Sequence, residues 1–372
     1  MLRSAGLGGP QLRSVRRGEG NLTLDTESEP QEIGQTPLDR AQAISRFARD
    51  WLGDEHQDLY QEMLLTVCRL AADGVPRGDL KLLHRALAEL RYGFKVFAPY
   101  RETPKISIFG SSRTPEWHPD YEAAVEFSRR IRAAGWMVIT GAGDGIMKAG
   151  HGGAGREASF GVAIRLPFEQ RTNDIIARDP KLVNFRYFFT RKLMFLKEAS
   201  AVALFPGGFG TQDEGFEALT LVQTGKSALV PIVMCERPGG SYWPRWCEYV
   251  RSELLGNGMI SEPDMSLFRV TDNIDDAVSE VVQFFRVYHS SRYVHEDFIL
   301  RLRRGISDET LTRINDEFCG KLTTKGRIER VEPHPLERGE YADLPRLRVH
   351  FDRKNHGILR QMVDVINADA SE

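Results

Sequence analysis

At 372 residues, 41% of them hydrophobic, the chain is longer than one compact domain usually needs and has enough apolar residues for a sizeable core. Its formal net charge of −2, with 27% charged residues, offers no global field for nucleic acid or an anionic membrane surface. Four scattered cysteines (Cys68, Cys235, Cys247 and Cys319) without a C-x-x-C pair, nine histidines without an H-E-x-x-H arrangement, and no apolar run of membrane-span length give the expectation of a cytoplasmic protein with neither a disulfide framework nor a bound metal.

Residues 1–35 place Arg3, Arg13, Arg16 and Arg17 ahead of Asp25, Glu27, Glu29 and Glu32 and contain few apolar residues, which predicts a disordered tail. The acids follow too soon for a transit peptide. A helical segment is expected over 36–104. Thr36 can cap its first helix, with Pro37 at the first helical position and Asp39 near the positive end. A second helix is expected over 54–72, and a third from Asp79 onward. That third helix carries Leu80, Leu83, Leu87, Leu90, Phe94 and Phe97 at alternating spacings of three and four, a narrow apolar seam suited either to this protein's own core or to a second copy.

After Pro104 the pattern changes. Short apolar runs at 106–109 (ISIF), 136–140 (WMVIT), 159–166 (SFGVAIRL), 201–205 (AVALF) and 229–234 (LVPIVM) alternate with helical sequence, the pattern of an α/β, doubly wound parallel sheet spanning 105–288. From 289 to 372 the sequence predicts a small α+β appendage: a helix or two, a β segment at 344–352 and a last helix at 358–367.

Ligands of such sheets bind beyond the carboxyl ends of the strands. Three glycine loops are expected there, each leading towards a helix N-terminus that favours an anion: Gly110-Ser111-Ser112-Arg113, Gly141-Ala142-Gly143-Asp144-Gly145, and Pro206-Gly207-Gly208-Phe209-Gly210-Thr211. The second is a poor dinucleotide fingerprint, since Ile146 stands where the third glycine of G-x-G-x-x-G belongs, although Glu169 could reach a ribose hydroxyl. "TGKS" (224–227) is no P-loop, because Thr220 occupies the position of its first glycine and the order of helix and strand is reversed; Gly225 reads as a helix C-cap. In the third loop, glycine backbone and the Thr211 hydroxyl suit a phosphate, but Thr211-x-x-Glu214 also fits a capping box, and spacing alone leaves both open.

The stretch "YFFTRKLMFLKEASAVALFPGGFGTQDEGFEALTLVQTGK" resembles the signature of the LONELY GUY family, with Arg191, Lys192 and Met194 ahead of a complete P-G-G-x-G-T-x-x-E at 206–214. "TGAGDGIMKAGHGGA" is similar to the family's other glycine loop, with Asp144 in place of the commoner proline. Members are nucleoside 5′-monophosphate phosphoribohydrolases, long labelled lysine decarboxylases. The resemblance covers about 105–288, and the flanking segments resemble those of longer bacterial relatives.

The resemblance implies a Rossmann-like domain that hydrolyses the N-glycosidic bond of a nucleoside 5′-monophosphate, purine or cytokinin, to free base and ribose 5-phosphate, without metal or organic cofactor. It implies Glu214 and Arg191 as catalytic groups. Phosphate and substrate would be bound by Gly110, Ser111, Gly141, Gly143, Gly145, Lys192, Gly207, Gly208, Gly210 and Thr211, and the protein would work as a homodimer or higher homo-oligomer. A non-catalytic nucleotide sensor or carrier using the same loops is the alternative, followed by a dinucleotide oxidoreductase.

Overall fold

The computed structural model describes residues 37–52, 55–165 and 172–370; the expected tail, the Thr36 cap and Glu169 lie outside them. The chain divides into two units, one ending at Lys81 and one beginning at Leu82. In the first, helices α1 (Pro37–Leu52) and α2 (Gln57–Ala72) pack together, and Gln61 Nε2 donates to Ser45 Oγ at 3.0 Å. Helix α3 (Arg77–Phe97) begins in the first unit and runs on into the second.

The second unit is built on seven parallel strands: β1 (Lys105–Phe109), β2 (Met137–Thr140), β3 (Ser159–Ile164), β4 (Leu182–Phe185), β5 (Ala201–Leu204), β6 (Ile232–Cys235) and β7 (Arg269–Thr271). Their spatial order is β4-β3-β2-β1-β5-β6-β7. The chain therefore winds one way from β1 to β4, returns to the middle, and winds the other way from β5 to β7. The switch falls between β1 and β5, which pair from Ile106↔Ala201 to Phe109↔Leu204. Side chains alternate across the sheet. Ile106, Ile108, Val138, Ala201 and Ala203 pack on one face under α4 (Pro119–Ala133) and α5 (Ile146–Ala154). Met137, Ile139, Val202 and Leu204 pack on the other with α3, α6 (Phe188–Lys197) and α7 (Phe209–Gln223). Helices α8 (Tyr242–Tyr249) and α9 (Ile274–Gln283) complete the crossovers to β7 and beyond it.

Strands β4 and β7 escape the sequence pattern. Both are sheet edges of four and three residues, and only two of the four β4 side chains are buried. An edge strand that covers the core with one face has no continuous apolar run to read.

The seam expected on α3 packs on this protein's own core only through Leu90 and Phe97. The buried stripe of this helix is Ala86, Glu89, Gly93 and Phe97, with Leu90 packed against the core, while Leu83, Leu87 and Phe94 stay exposed. A carboxylate and a glycine occupy core positions that a count of apolar residues assigns to the other face.

The appendage opens on two strands that the sequence reading does not include, ahead of its helices. Residues 288–302 form an antiparallel hairpin, β8 (Tyr288–Val294) and β9 (Asp297–Leu302), turned at His295 with φ 56°. Then come α10 (Asp308–Ile314), the single turn α11 (Gly320–Leu322), β10 (Glu329–Val331), β11 (Arg346–Val349) and α12 (His356–Asn367), giving a four-stranded sheet in the order β10-β11-β9-β8. The sheet is pinned by a buried charge cluster. Glu337 accepts from Arg301 Nη2 at 2.6 Å, from Arg346 Nε at 2.9 Å and from the His334 N–H at 3.1 Å. Burial alone would raise this carboxyl's pKa; the bonds from Arg346 and Arg301 outweigh it and hold it well below the usual range. Glu337→Ala would strand two buried guanidinium groups, and urea unfolding should show a loss of about 3–5 kcal/mol; a loss under about 1 kcal/mol would mean the cluster is dispensable.

Candidate functional site

A cleft of about 720 Å³ opens at the carboxyl ends of β1 and β5, the switch point of the sheet. Of the residues expected at a site, it is lined by Gly110, Ser111, Gly141, Arg191, Gly207, Gly208, Gly210, Thr211 and Glu214.

The loop after β5 runs straight into α7, whose N-cap is Gly208 and has no side-chain cap. Thr211 is thus inside the first turn and donates its N–H to the Gly208 carbonyl at 3.0 Å. This resolves the Thr211-x-x-Glu214 spacing, because Thr211 stands at N3 and not at the N-cap, and Glu214 lies a turn beyond N3. A side chain on Gly208 or Gly210 would meet nothing within 4 Å, so the backbone there faces open space at the positive end of a helix. Gly207 is a glycine for a different reason: a Cβ would lie 2.1 Å from Thr211 Oγ1 and 2.9 Å from the Ser111 nitrogen. At its far end α7 closes on Gly225 (φ 66°), whose N–H bonds to the Val222 carbonyl, as expected of a C-cap.

Glu214 lies one turn further along α7 with only 4% of its surface exposed. Its Oε2 has no hydrogen-bond partner and sits 3.9 Å from Lys192 Nζ. Burial raises its pKa to about 7 against the opposing pull of Lys192 and Arg191. The arginine stands on α6, packed against the rings of Phe188 and Phe195 at 5.1 and 5.5 Å. Burial lowers its pKa, and the charges of Glu214 and Asp213 offset part of that; its Nε has no hydrogen-bond partner. The cleft therefore has a carboxyl and a guanidinium that are both poorly solvated and incompletely bonded, the condition of groups poised to act on a substrate.

Three expected residues do not reach the cleft. Lys192 turns to the acids of α7, at 2.8 Å from Asp213 and 2.5 Å from Glu217. Gly143 offers its carbonyl to Asn173 Nδ2 at 2.9 Å. Gly145, at φ 62°, wedges against the Ser111–Ser112 backbone, where a Cβ would come within 2.2 Å of the Ser111 carbonyl oxygen. Both glycines shape their loop instead of lining the cleft. Buried His151 fixes the same loop from below, within hydrogen-bond reach of Thr140, the Phe160 carbonyl and Asn173, and burial keeps its pKa low. The first loop also differs from expectation: α4 starts only at Pro119, so Gly110 and Ser111 do not open a helix.

Sequence reasoning missed other lining residues, among them Phe188, Phe209, Gln212 and Tyr242. Tyr242 donates its hydroxyl to the Gly207 carbonyl at 2.5 Å and accepts from Gln212 Nε2 at 2.6 Å. It arrives from the crossover after β6, so no local motif marks it. Phe209 is 96% exposed at the variable position of P-G-G-x-G-T, and that exposure depends on tertiary context.

Residues 143–281 match a family model described as "Possible lysine decarboxylase". No curated protein matches the chain. Among solved structures, a structural-genomics target is 20% identical, with 47% of this chain and 96% of that one covered at a TM-score of 0.35. The Moco carrier protein from Chlamydomonas reinhardtii is 19% identical, covering 48% and 94% at 0.33. The DNA processing protein A from Helicobacter pylori is 13% identical, covering 48% and 80% at 0.33. The chain thus carries, at 143–281, a domain of the family that the glycine-loop signature indicates.

The raised Glu214 pKa has a measurable consequence. The folded protein keeps this proton up to about pH 7, whereas the unfolded chain releases it near 4.5. Stability contributed by the protonated form is complete below the unfolded value and is lost as pH rises through the folded one. Glu214→Gln does not titrate, so its stability relative to the parent should grow by up to about 3 kcal/mol between about pH 4 and pH 8 in urea unfolding. A flat difference would mean the carboxyl is solvated.

Proposed function

We propose that this domain hydrolyses the N-glycosidic bond of a nucleoside 5′-monophosphate, water adding at the anomeric carbon to give free base and ribose 5-phosphate. The observation that carries the reading is the buried Glu214 carboxyl, whose Oε2 makes no hydrogen bond, one helical turn from an open glycine cradle. The 5′-phosphate fits the N–H groups of Gly208 and Gly210 with the Thr211 hydroxyl, where the helix dipole favours an anion. Its binding would hold the sugar against Glu214. Departure of the base leaves positive charge on the ribose. A carboxylate that water does not screen stabilises that charge far better than an exposed one, and can also orient or deprotonate the attacking water. Arg191 supplies donors of fixed geometry beside it. No step calls for a metal or organic cofactor.

Incubation with AMP should release adenine and ribose 5-phosphate, and adenosine should be nearly inert. Glu214→Gln should lower kcat by about a hundredfold or more with nucleotide still bound. kcat/KM of the parent should rise as pH passes about 7 and Glu214 ionises. Nucleotide bound tightly but returned intact would favour a sensor or carrier, and near-normal turnover by the Gln variant would remove Glu214 from the chemistry.

The same reading includes self-association. On α6, Phe188, Phe189 and Leu193 are each about half exposed beside the cleft, an apolar group suited to burial against a second copy. Light scattering should give at least twice 42.1 kDa, and Leu193→Glu should reduce it to the monomer; a parent chain that is monomeric and active at micromolar concentration would exclude the dimer.

A further inference from the structure

Helix α3 is not one of the βα units of the sheet, yet it touches the helix that carries Arg191 at three points. At the entrance to α6, Glu89 Oε1 accepts the N–H of Arg186, the residue before the N-cap, at 2.9 Å, and Oε2 accepts the hydroxyl of Thr190, in the first turn, at 2.9 Å. At mid-helix, Gly93 lets Met194 come close: a Cβ there would lie 3.0 Å from Met194 Cε. At the end, Lys197 Nζ stands 4.8 Å above the Phe94 ring. The N-cap of α6, Tyr187, makes no side-chain cap bond. The first turn of α6 is thus held by a carboxylate about a hundred residues away in sequence, at the helix end where negative charge is favoured.

We propose that Glu89 is the positioning residue for Arg191: it fixes the first turn of α6 and thereby the placement of the guanidinium in the cleft. Thr190, whose hydroxyl Glu89 binds, is the residue immediately before Arg191. Glu89 is 6% exposed, and its carboxylate also takes Arg85 Nε at 3.2 Å. Removing it would take the acceptor from the Arg186 N–H and leave the Thr190 hydroxyl only the Tyr187 carbonyl at 3.0 Å, loosening the turn that orients Arg191. A glutamate buried only to complete the core would affect stability and leave the arginine where it is. The charge and shape contributions separate in Glu89→Gln, whose amide oxygen can still accept from Arg186 and whose amide nitrogen can donate to the Thr190 hydroxyl.

The kinetic arm of the test rests on the proposed hydrolysis; the exchange arm does not. In the full chain, Glu89→Ala should speed amide hydrogen exchange across 186–193 by about tenfold or more, while exchange in β1 and β5 is unchanged. On AMP its kcat should fall by about tenfold or more with KM within about threefold, and Glu89→Gln should restore most of both. Should Glu89→Ala fail to fold, Thr190→Val keeps the carboxylate, removes one of its bonds and carries the same two readouts in the same direction. If the parent chain releases no base from any nucleotide, the hydrolase reading falls and the exchange rates alone decide the placement. Unchanged exchange over 186–193 in a folded variant, or unchanged kcat in an active one, overturns the proposal.

Discussion

Ser111 donates its backbone N–H to the Pro206 carbonyl at 3.1 Å, and this bond depends on Gly207 having no side chain, since a Cβ would stand 2.9 Å from that same nitrogen. The bond ties the loop after β1 to the loop after β5 at the point where the sheet reverses its winding. Other features of the cleft follow from it. With Ser111 held, its carbonyl can take the Ile146 N–H at 3.0 Å, which brings the loop after β2 and the start of α5 against the first loop. With Pro206 held, α7 starts where Gly208 and Gly210 face open space. Three separate crossovers thus meet within a few ångströms through backbone bonds.

Such a backbone frame leaves the side chains free for electrostatics. Lys192 and Arg191 are neighbours on α6 but face different partners. Lys192 is neutralised by Asp213 and Glu217 on α7, which makes it a strut between the two helices. Arg191 keeps its charge near Glu214 in a poorly solvated place. Because Asp213 and Glu217 already occupy Lys192, the carboxylate of Glu214 is not drawn into a close salt bridge that would depress its pKa and hold it away from a ligand. The cost is a buried acid whose ionisation is unfavourable without substrate, and a cation developing on a bound sugar is the kind of partner that would offset it.

Legibility from sequence followed burial. Strands β1, β2, β3, β5 and β6 are covered on both faces, so their sequences read as continuous apolar runs and were placed to within a few residues. Edge strands β4 and β7 have no such run. The hairpin of β8 and β9 is not legible because its buried positions include Arg301, a charge that becomes a core residue only when Glu337 arrives from 36 positions away. The glycines of the third loop were legible as a cradle. The separation of lining glycines from loop-shaping ones was not, because Gly208 and Gly145 differ in backbone conformation and surroundings, which the folded chain sets.

The same limit explains α3. Its apolar residues are spaced to suggest a seam of Leu83, Leu87 and Phe94, yet the face turned to the core carries Glu89 and Gly93. The helix is selected for contact with α6 as well as for apolar burial. Gly93 leaves room for Met194, and Glu89 accepts from the Arg186 N–H just ahead of α6 and from the Thr190 hydroxyl in its first turn. A hydrophobic count treats both as defects in the pattern. In the folded protein they are the points at which a helix outside the βα winding sets the geometry of the cleft.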